Sequence, residues 1–467
     1  MKRLLLFVLF VAAVAVRAAM PQQPNFVFIL GEGHGWSSTS VQMDDAVPGS
    51  KSSFVRTPNL EKLAQAGMRF AHFYASSPRC TPSRVALFTG KSPAQLHMTF
   101  INEGKKDSDT SANGRVLTPS ASMELAADEV TIAQLLKRAG YATAHFGKWH
   151  CGRANPREHG FDENDGANGN GGPDDADNPH PKQLFLMTER GMDFMARQVK
   201  AGKPFYLQLD HYASRHGGDA RPESIAAVKS WGGNLEERDL GTAAADWDLD
   251  VAFGMVLKKL DELGIAQNTF VIFTTDHGTP GKNMPLAGGK GTVSEGGLRV
   301  PFIIRGPGIK AGVCSHVRTI GEDLVPTMAE LAHLSAPLPQ GIEGGSFAGV
   351  LANAGGGSVQ RPREEFVVHF PHYDKDEIGP ASALFLGDFK LIRVYETGAL
   401  KLFNIAKDPG ERRDLAQEMP DKVNELNQRL TAYLAAVHAQ MPAPNPNFDP
   451  TKPATSPERK GKGKRGR

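Results

Sequence analysis

Three apolar runs, each closed by polar residues, set the terms on which this chain can fold. NFVFIL (25–30) runs into GEGHG, YATAHFG (141–147) into KWH, and TFVIFTT (269–275) into DHG. Runs of this length, rich in Val, Ile, Phe and Thr and bounded by turn residues, read as strands buried on both faces. Helix-like stretches lie between them. TPNLEKLAQAGMRF carries Thr57 as a cap, Pro58 at the first helical position, and Leu60, Leu63, Ala64 and Met68 at helical spacing. Thr131 caps IAQLLKRAG, which stops at Gly140, and DVAFGMVLKKLDELG precedes the last of the three strands. This alternation predicts an α/β chain with a large mixed, mainly parallel sheet sandwiched by helices. Open sheets of that kind bind ligands outside the carboxyl ends of their strands, so the polar residues released there are where chemistry is expected.

The ends of the chain carry different information. Lys2 and Arg3 precede an apolar run from Leu4 to Val16 and the small residues Ala18 and Ala19, the layout of a secretory signal peptide over residues 1–19. No later stretch approaches the roughly 20 apolar residues of a membrane span. The expectation is an exported chain, periplasmic or extracellular, without an integral membrane segment after cleavage. Nine of the 53 basic residues (Lys2, Arg3, Arg17, Arg459, Lys460, Lys462, Lys464, Arg465 and Arg467) sit at the two ends, against 51 acidic residues in all. The body between them is mildly acidic and gives no sign of a nucleic-acid partner. Residues 446–467 read as a disordered basic tail, either solvated or a tether to a polyanion.

Cys80, Cys151 and Cys314 are too few for a disulfide framework, and at least one must stay unpaired. Cys80 opens CTPSRVALFTG. The strand ends add Glu32 and His34, Lys148 and His150, and Asp276 and His277, and GGKGTVSEGGLRVP adds Lys290. Lys148 and His150, two residues apart, point the same way if the backbone there is extended. A thiol, several cations or imidazoles and carboxylates gathered from separate strands suit an anionic substrate beside a hard metal ion.

Residues 80–90 match C-x-P-S-R-x-x-x-x-T-G, and on this motif the chain resembles the sulfatase family, of the alkaline phosphatase superfamily. GYATAHFGKWHCG, FTTDHG, the K-x-x-x-x-E-G-G-x-R-V-P run from Lys290 to Pro301, DLVPTMAEL near Asp323 and LFNIAKDPGERRDLA near Asp408 fall in the order of sulfatase landmarks. The resemblance spans almost the whole mature chain. It implies that a formylglycine-generating enzyme oxidises Cys80 to formylglycine, whose hydrate attacks sulfur with one hydroxyl and expels sulfate with the other. It implies that Arg84 holds a diol oxygen near the metal, that Lys148 and Lys290 bind sulfate oxygens, and that His150 takes the proton of the second hydroxyl. A further histidine should protonate the leaving oxygen. PFYLQLDHYASRHGGD offers His216, at one residue beyond the usual spacing, with His211 as its rival.

The metal implied is one Ca2+, and here the chain departs from the family. Two adjacent aspartates usually follow the first strand, whereas this chain has Glu32-Gly33. Glu32, Asp276, His277 and the diol at Cys80 are the expected ligands, with His34 or the Asp44-Asp45 pair able to lean in; a histidine ligand tolerates ions softer than calcium. Past residue 355 the composition changes. EEFVVHF, SALFLGDFKLIRVYE and LKLFNI read as strands and DKVNELNQRLTAYLAAVHAQM as a helix. The resulting division is a catalytic domain over 20–355 and a smaller α+β subdomain over 356–445, with an antiparallel sheet and a packed helix. His369 and His372 are either structural or pocket residues, and the glycine-rich loop after residue 165 is a candidate for the pocket rim. The activity implied is hydrolysis of sulfate esters, with a sulfated glycan favoured over a sulfated small molecule. Two rivals remain: a phosphonate or phosphodiester hydrolase of the same superfamily, and a degenerate relative that only binds sulfated glycan.

Overall fold

The structure, a computed structural model, describes residues 23–101, 113–169, 183–212, 220–281, 283–374 and 378–451. The signal-peptide segment, the part of the 446–467 tail beyond residue 451, most of the glycine-rich loop and His216 lie outside these residues; residues 446–451 are described, with Asp449 N donating to Asn113 Oδ1 at 2.9 Å.

The main sheet is built from β1 (Asn25–Gly31), β2 (Met68–Phe70), β3 (Ala142–Gly147), β4 (Glu163–Asn164), β5 (Phe205–Asp210), β6 (Thr269–Thr275), β7 (Ile303–Arg305) and β8 (Val313–Ser315), in the spatial order β8-β2-β7-β6-β1-β5-β3-β4. Only β7 runs antiparallel to its neighbours, so the sheet is mixed and mainly parallel, as its apolar runs predict. Alternate residues of β1 supply both cores: Phe26, Phe28 and Leu30 face one, Val27 and Ile29 the other. Helices α1 (Pro58–Ala66), α4 (Leu184–Ala201) and α5 (Glu237–Glu262) cover the second face through Leu60, Leu63, Phe194, Leu249 and Phe253. The first face is covered by α2 (Cys80–Thr89), α3 (Ile132–Arg138) and α6 (Leu324–Leu331) through Val85, Phe88, Ile132, Leu136 and Val325.

Two local expectations change. Thr57 does not cap α1 with its side chain; its hydroxyl accepts from Ser40 N at 3.1 Å. The orphan amides of Asn59 and Leu60 are instead taken by the Asp250 carboxylate of α5, at 2.9 to 3.1 Å, a cap supplied from 190 residues away and invisible to local pattern. Met68 belongs not to α1 but to β2, where it pairs with Ile304. Thr131 does cap α3, in a reciprocal box with Gln134.

A second sheet of β9 (Phe366–Phe370), β10 (Ala381–Leu386), β11 (Phe389–Val394) and β12 (Leu400–Asn404) is wholly antiparallel. One face packs on α7 (Pro420–Ala436) through Val367, Leu384 and Leu391 against Leu426 and Leu430. The other, through Phe366, Val368 and Phe385, packs on Tyr74, Leu298 and Ile320. Fully buried Lys390 fastens the two parts, at 3.2 Å from Glu295 and 2.7 Å from Glu411. No helix of the described residues is long and apolar enough to cross a membrane.

Gly147, the last residue of β3, has φ of 101°, and a Cβ there would lie 2.0 Å from the Asp210 carbonyl oxygen. Gly147→Ala should therefore cost about 2–4 kcal/mol, from backbone strain plus overpacking. Urea unfolding checks this; a loss below about 1 kcal/mol would show that the neighbouring strand gives way freely.

Candidate active site

Four adjacent parallel strands, in the order β6-β1-β5-β3, end at one level: Gly31 pairs with Thr275, and Asp210 with both Leu30 and Gly147. Glu32, Asp276, His277, Lys148 and His211 are thus released at the same rim. Cys80 arrives from outside the sheet as the first residue of α2, where the helix N-terminus favours a thiolate.

Ligand atoms of Glu32, Cys80, Asp276 and His277 all lie within 4.8 Å of one another, and all four residues are buried. Cys80 Sγ is 3.1 Å from His277 Nε2 and 3.5 Å from Glu32 Oε1. Lys290 Nζ donates to Glu32 Oε1 at 2.9 Å and to Cys80 Sγ at 3.7 Å, and Lys148 Nζ is 3.7 Å from the same Glu32 oxygen. His150 interacts electrostatically with the Cys80 sulfur. Lys148 and His150 do meet at the thiol, but not along an extended chain. His150 has φ of 55°, and Asn168 ties down the turn by accepting from Trp149 N and His150 N at 2.8 Å each.

Arg84 is buried completely. It donates to Asp210 Oδ2 at 2.8 Å, to Asp276 Oδ2 at 3.2 Å and to the Lys148 carbonyl at 2.7 Å. It therefore orients a carboxylate of the cluster and the backbone that carries Lys148. Asp210, unforeseen in the sequence, also takes a hydrogen bond from Gln208 at 2.9 Å and lies 3.1 Å from His145 Nε2. The one local signal for it is its place as the polar last residue of a buried strand. Arg79 and Asp374 form a two-pronged ion pair beside Cys80, which sequence reading also missed.

The electrostatics follow from burial opposed by charge. Burial would raise the Cys80 thiol, but Lys148, Lys290 and His277 together hold it well below the ordinary thiol range. Glu32 behaves alike: burial raises it, and Lys290, Lys148 and His277 overcome this to hold it well below the usual carboxylate range. Burial would lower Lys290, yet Cys80, Glu32 and Asp276 hold it raised. For His277 burial is likewise the largest single effect and lowers it, but Asp276 and Cys80 win and raise it to about 9. His150 is lowered, by burial first and then Lys148. His211 is pushed down to about 4, chiefly by burial.

This donor set fits a divalent cation. His277 Nδ1 lies 2.9 Å from the Gly278 carbonyl, which can only accept, so Nδ1 carries the proton and Nε2 faces the cluster. Two carboxylates, that imidazole and the residue-80 side chain supply the rest. Gly33 leaves room: a Cβ there would sit 3.3 Å from His277 Cε1, at φ of 65°. The histidine thus fills the space beside the position where the second family aspartate would stand. Neither His34 nor Asp44 joins these four groups. His34 Nδ1 is 3.3 Å from Asp246, and Asp44 lies near His72 and His316. His369 bonds Ser382 at 2.6 Å and the Gln440 carbonyl at 3.0 Å, while His372 bonds Thr99 at 2.8 Å, contacts that serve structure. All three cysteines are free thiols.

A family model described as Sulfatase matches residues 24–334. N-acetylgalactosamine-6-sulfatase of Sus scrofa is 33% identical over 383 residues, covering 73% of this chain and 68% of that protein. Arylsulfatase A of Homo sapiens is 29% identical over 501 residues, covering 92% of this chain and 90% of its own. Among solved structures, that of Ps i-CgsB in complex with k-i-k-neocarrahexaose shares the fold with a TM-score of 0.72 at 22% identity, covering 88% of this chain and 93% of that one.

Proposed function

The chain belongs to the sulfatase family and is a sulfuric ester hydrolase, and from that premise we propose that it is exported and removes sulfate from a sulfated carbohydrate. The convergence of Cys80, Glu32, Asp276 and His277 beneath Lys148 and Lys290 carries the proposal. The carbohydrate preference draws on the N-acetylgalactosamine-6-sulfatase relative and on the neighbour holding k-i-k-neocarrahexaose. We place the catalytic part in residues 20–355 and a supporting part in 356–445.

Oxidised to formylglycine, residue 80 would supply a hydrated aldehyde with one hydroxyl to attack sulfur and a second to release sulfate. A calcium ion held by Glu32, Asp276 and His277 would supply positive charge against the sulfate oxygens. Lys148 and Lys290 flank residue 80 and bind the remaining sulfate oxygens, neutralising charge as the ester bond breaks. Arg84 fixes Asp276 and the Lys148 backbone. His150, its pKa lowered chiefly by burial and so held neutral beside residue 80, is ready to take the proton that leaves the second hydroxyl. His211, at about 4, is neutral at physiological pH and a poor proton donor. That favours His216 as the acid that protonates the departing sugar oxygen.

Chelation of the matured enzyme should remove about one calcium ion per chain together with its activity, and added Ca2+ should restore both. Turnover of sulfated oligosaccharides and an aryl sulfate well above that of an aryl phosphodiester supports the reading. Preference for the phosphodiester would move the chain to the phosphohydrolase branch, and a matured, metal-loaded protein that binds sulfated glycan without turnover would leave only a binding role.

A further inference from the structure

A second group of metal-binding side chains stands apart from the active site. Ligand atoms of Asp44, His72 and His316 lie within 4.8 Å of one another. His72 follows the carboxyl end of β2, and His316 directly follows β8, the strand paired parallel with β2 at the edge of the main sheet. Asp44 comes from the long segment that leaves β1 through Glu32. Three remote segments therefore deliver two imidazoles and a carboxylate to one point at the sheet edge. The two rings are 5.6 Å apart, centre to centre.

Three arginines stand near the group, and each is paired with a carboxylate. Arg69 is paired with Asp45, Arg299 with Glu295 at 2.9 Å, and Arg318 with Asp388 at 3.4 Å. Asp44 is buried and has no ionic partner among the described residues. His72 Nδ1 is buried without a hydrogen-bond partner among the described residues, an arrangement that costs free energy unless something occupies it. Cys314 Sγ, 4.0 Å from His316 Nε2, adds a soft atom at the rim.

We infer that Asp44, His72 and His316 form a binding site for Zn2+, with the fourth position open to solvent on the exposed His316 side. Two imidazoles and one carboxylate match zinc rather than calcium, which takes six to eight oxygens. The ion would pin the segment that follows Glu32 to strands β2 and β8, and so steady a loop that also serves the catalytic cluster.

The test uses the full chain, stripped with chelator and returned to excess Ca2+ so that the catalytic cluster is filled, then exposed to ZnCl2, desalted and analysed for metal. Wild type should retain about one zinc per chain and unfold at a higher temperature than without zinc. His316→Ala, a change at an exposed position, should bind zinc at least about tenfold more weakly and lose the thermal gain while keeping its sulfate-ester turnover. Asp44→Asn should do the same. Zinc retained equally by wild type and both variants, or by none of them, overturns the site. Neither result depends on which sulfate ester is hydrolysed.

Discussion

Cys80→Ala should leave no measurable sulfate-ester turnover in chains expressed with a formylglycine-generating enzyme, a loss on the order of 10⁴-fold or more. Removing the nucleophile from a preorganised site takes away the covalent route while the surrounding charges stay in place. Lys148, Lys290 and the Glu32-Asp276-His277 group are untouched by this change, so affinity for the sulfated substrate should stay within about tenfold of wild type. The loss should appear in kcat. Mass spectrometry of the peptide holding Cys80 to Arg84 completes the measurement, because the wild type should carry the aldehyde and the variant cannot. Turnover retained by Cys80→Ala would transfer the nucleophile to another group or to water. A thiol that survives in wild type, while another sulfatase matures in the same cells, would leave this chain a binding protein.

The second large effect is expected at Arg84, one step removed from the sulfur. Its guanidinium is wholly buried between Asp210 and Asp276. Deleting it strands two carboxylates where water cannot reach them, and breaking a buried ion pair from one side costs about 3–5 kcal/mol. Arg84→Ala should therefore unfold at markedly lower urea. Arg84→Lys should recover little, since an ammonium on a flexible stem cannot address Asp276, Asp210 and the Lys148 carbonyl together. Activity should fall further than stability explains, because Asp276 and Lys148 lose their alignment. Wild-type stability in Arg84→Ala would mean that the two aspartates take up protons at little cost, and the orienting role would go with it.

Much of this site could be read from the chain before its folding was known, for a physical reason. Glu32, Lys148, Asp276 and His277 each follow a buried strand, and parallel strands share one rim, so local sequence determined that they would meet. Cys80 and Lys290 come from helical and loop segments, and were found through motif rather than period. Asp210 escaped because a polar residue at a strand end looks the same whether it faces water or a buried arginine; its partner lies 126 residues away. Asp250 escaped likewise, since capping from another helix leaves no trace near Thr57. His150 was placed at the right point by the wrong backbone, for the left-handed turn depends on Asn168, itself part of an irregular loop. His34 and Asp44, read as candidates to complete the metal shell, turn instead to Asp246 and to the edge of the sheet.

The order of the strands also sets a clock. β1 cannot take its place until β5 and β6 have been made, and the pocket over Cys80 closes only with Lys290. At synthesis rates of about 5–20 residues per second, the segment around Cys80 stays open for roughly 10–40 s after it is made. In the finished fold residue 80 is 1% exposed, out of reach of another enzyme's active site. Any oxidation of the thiol by another enzyme must therefore happen before the fold closes over it. Substitutions that hasten closure would lower the yield of converted protein without altering one residue of the pocket, and slower translation downstream of residue 90 would raise it.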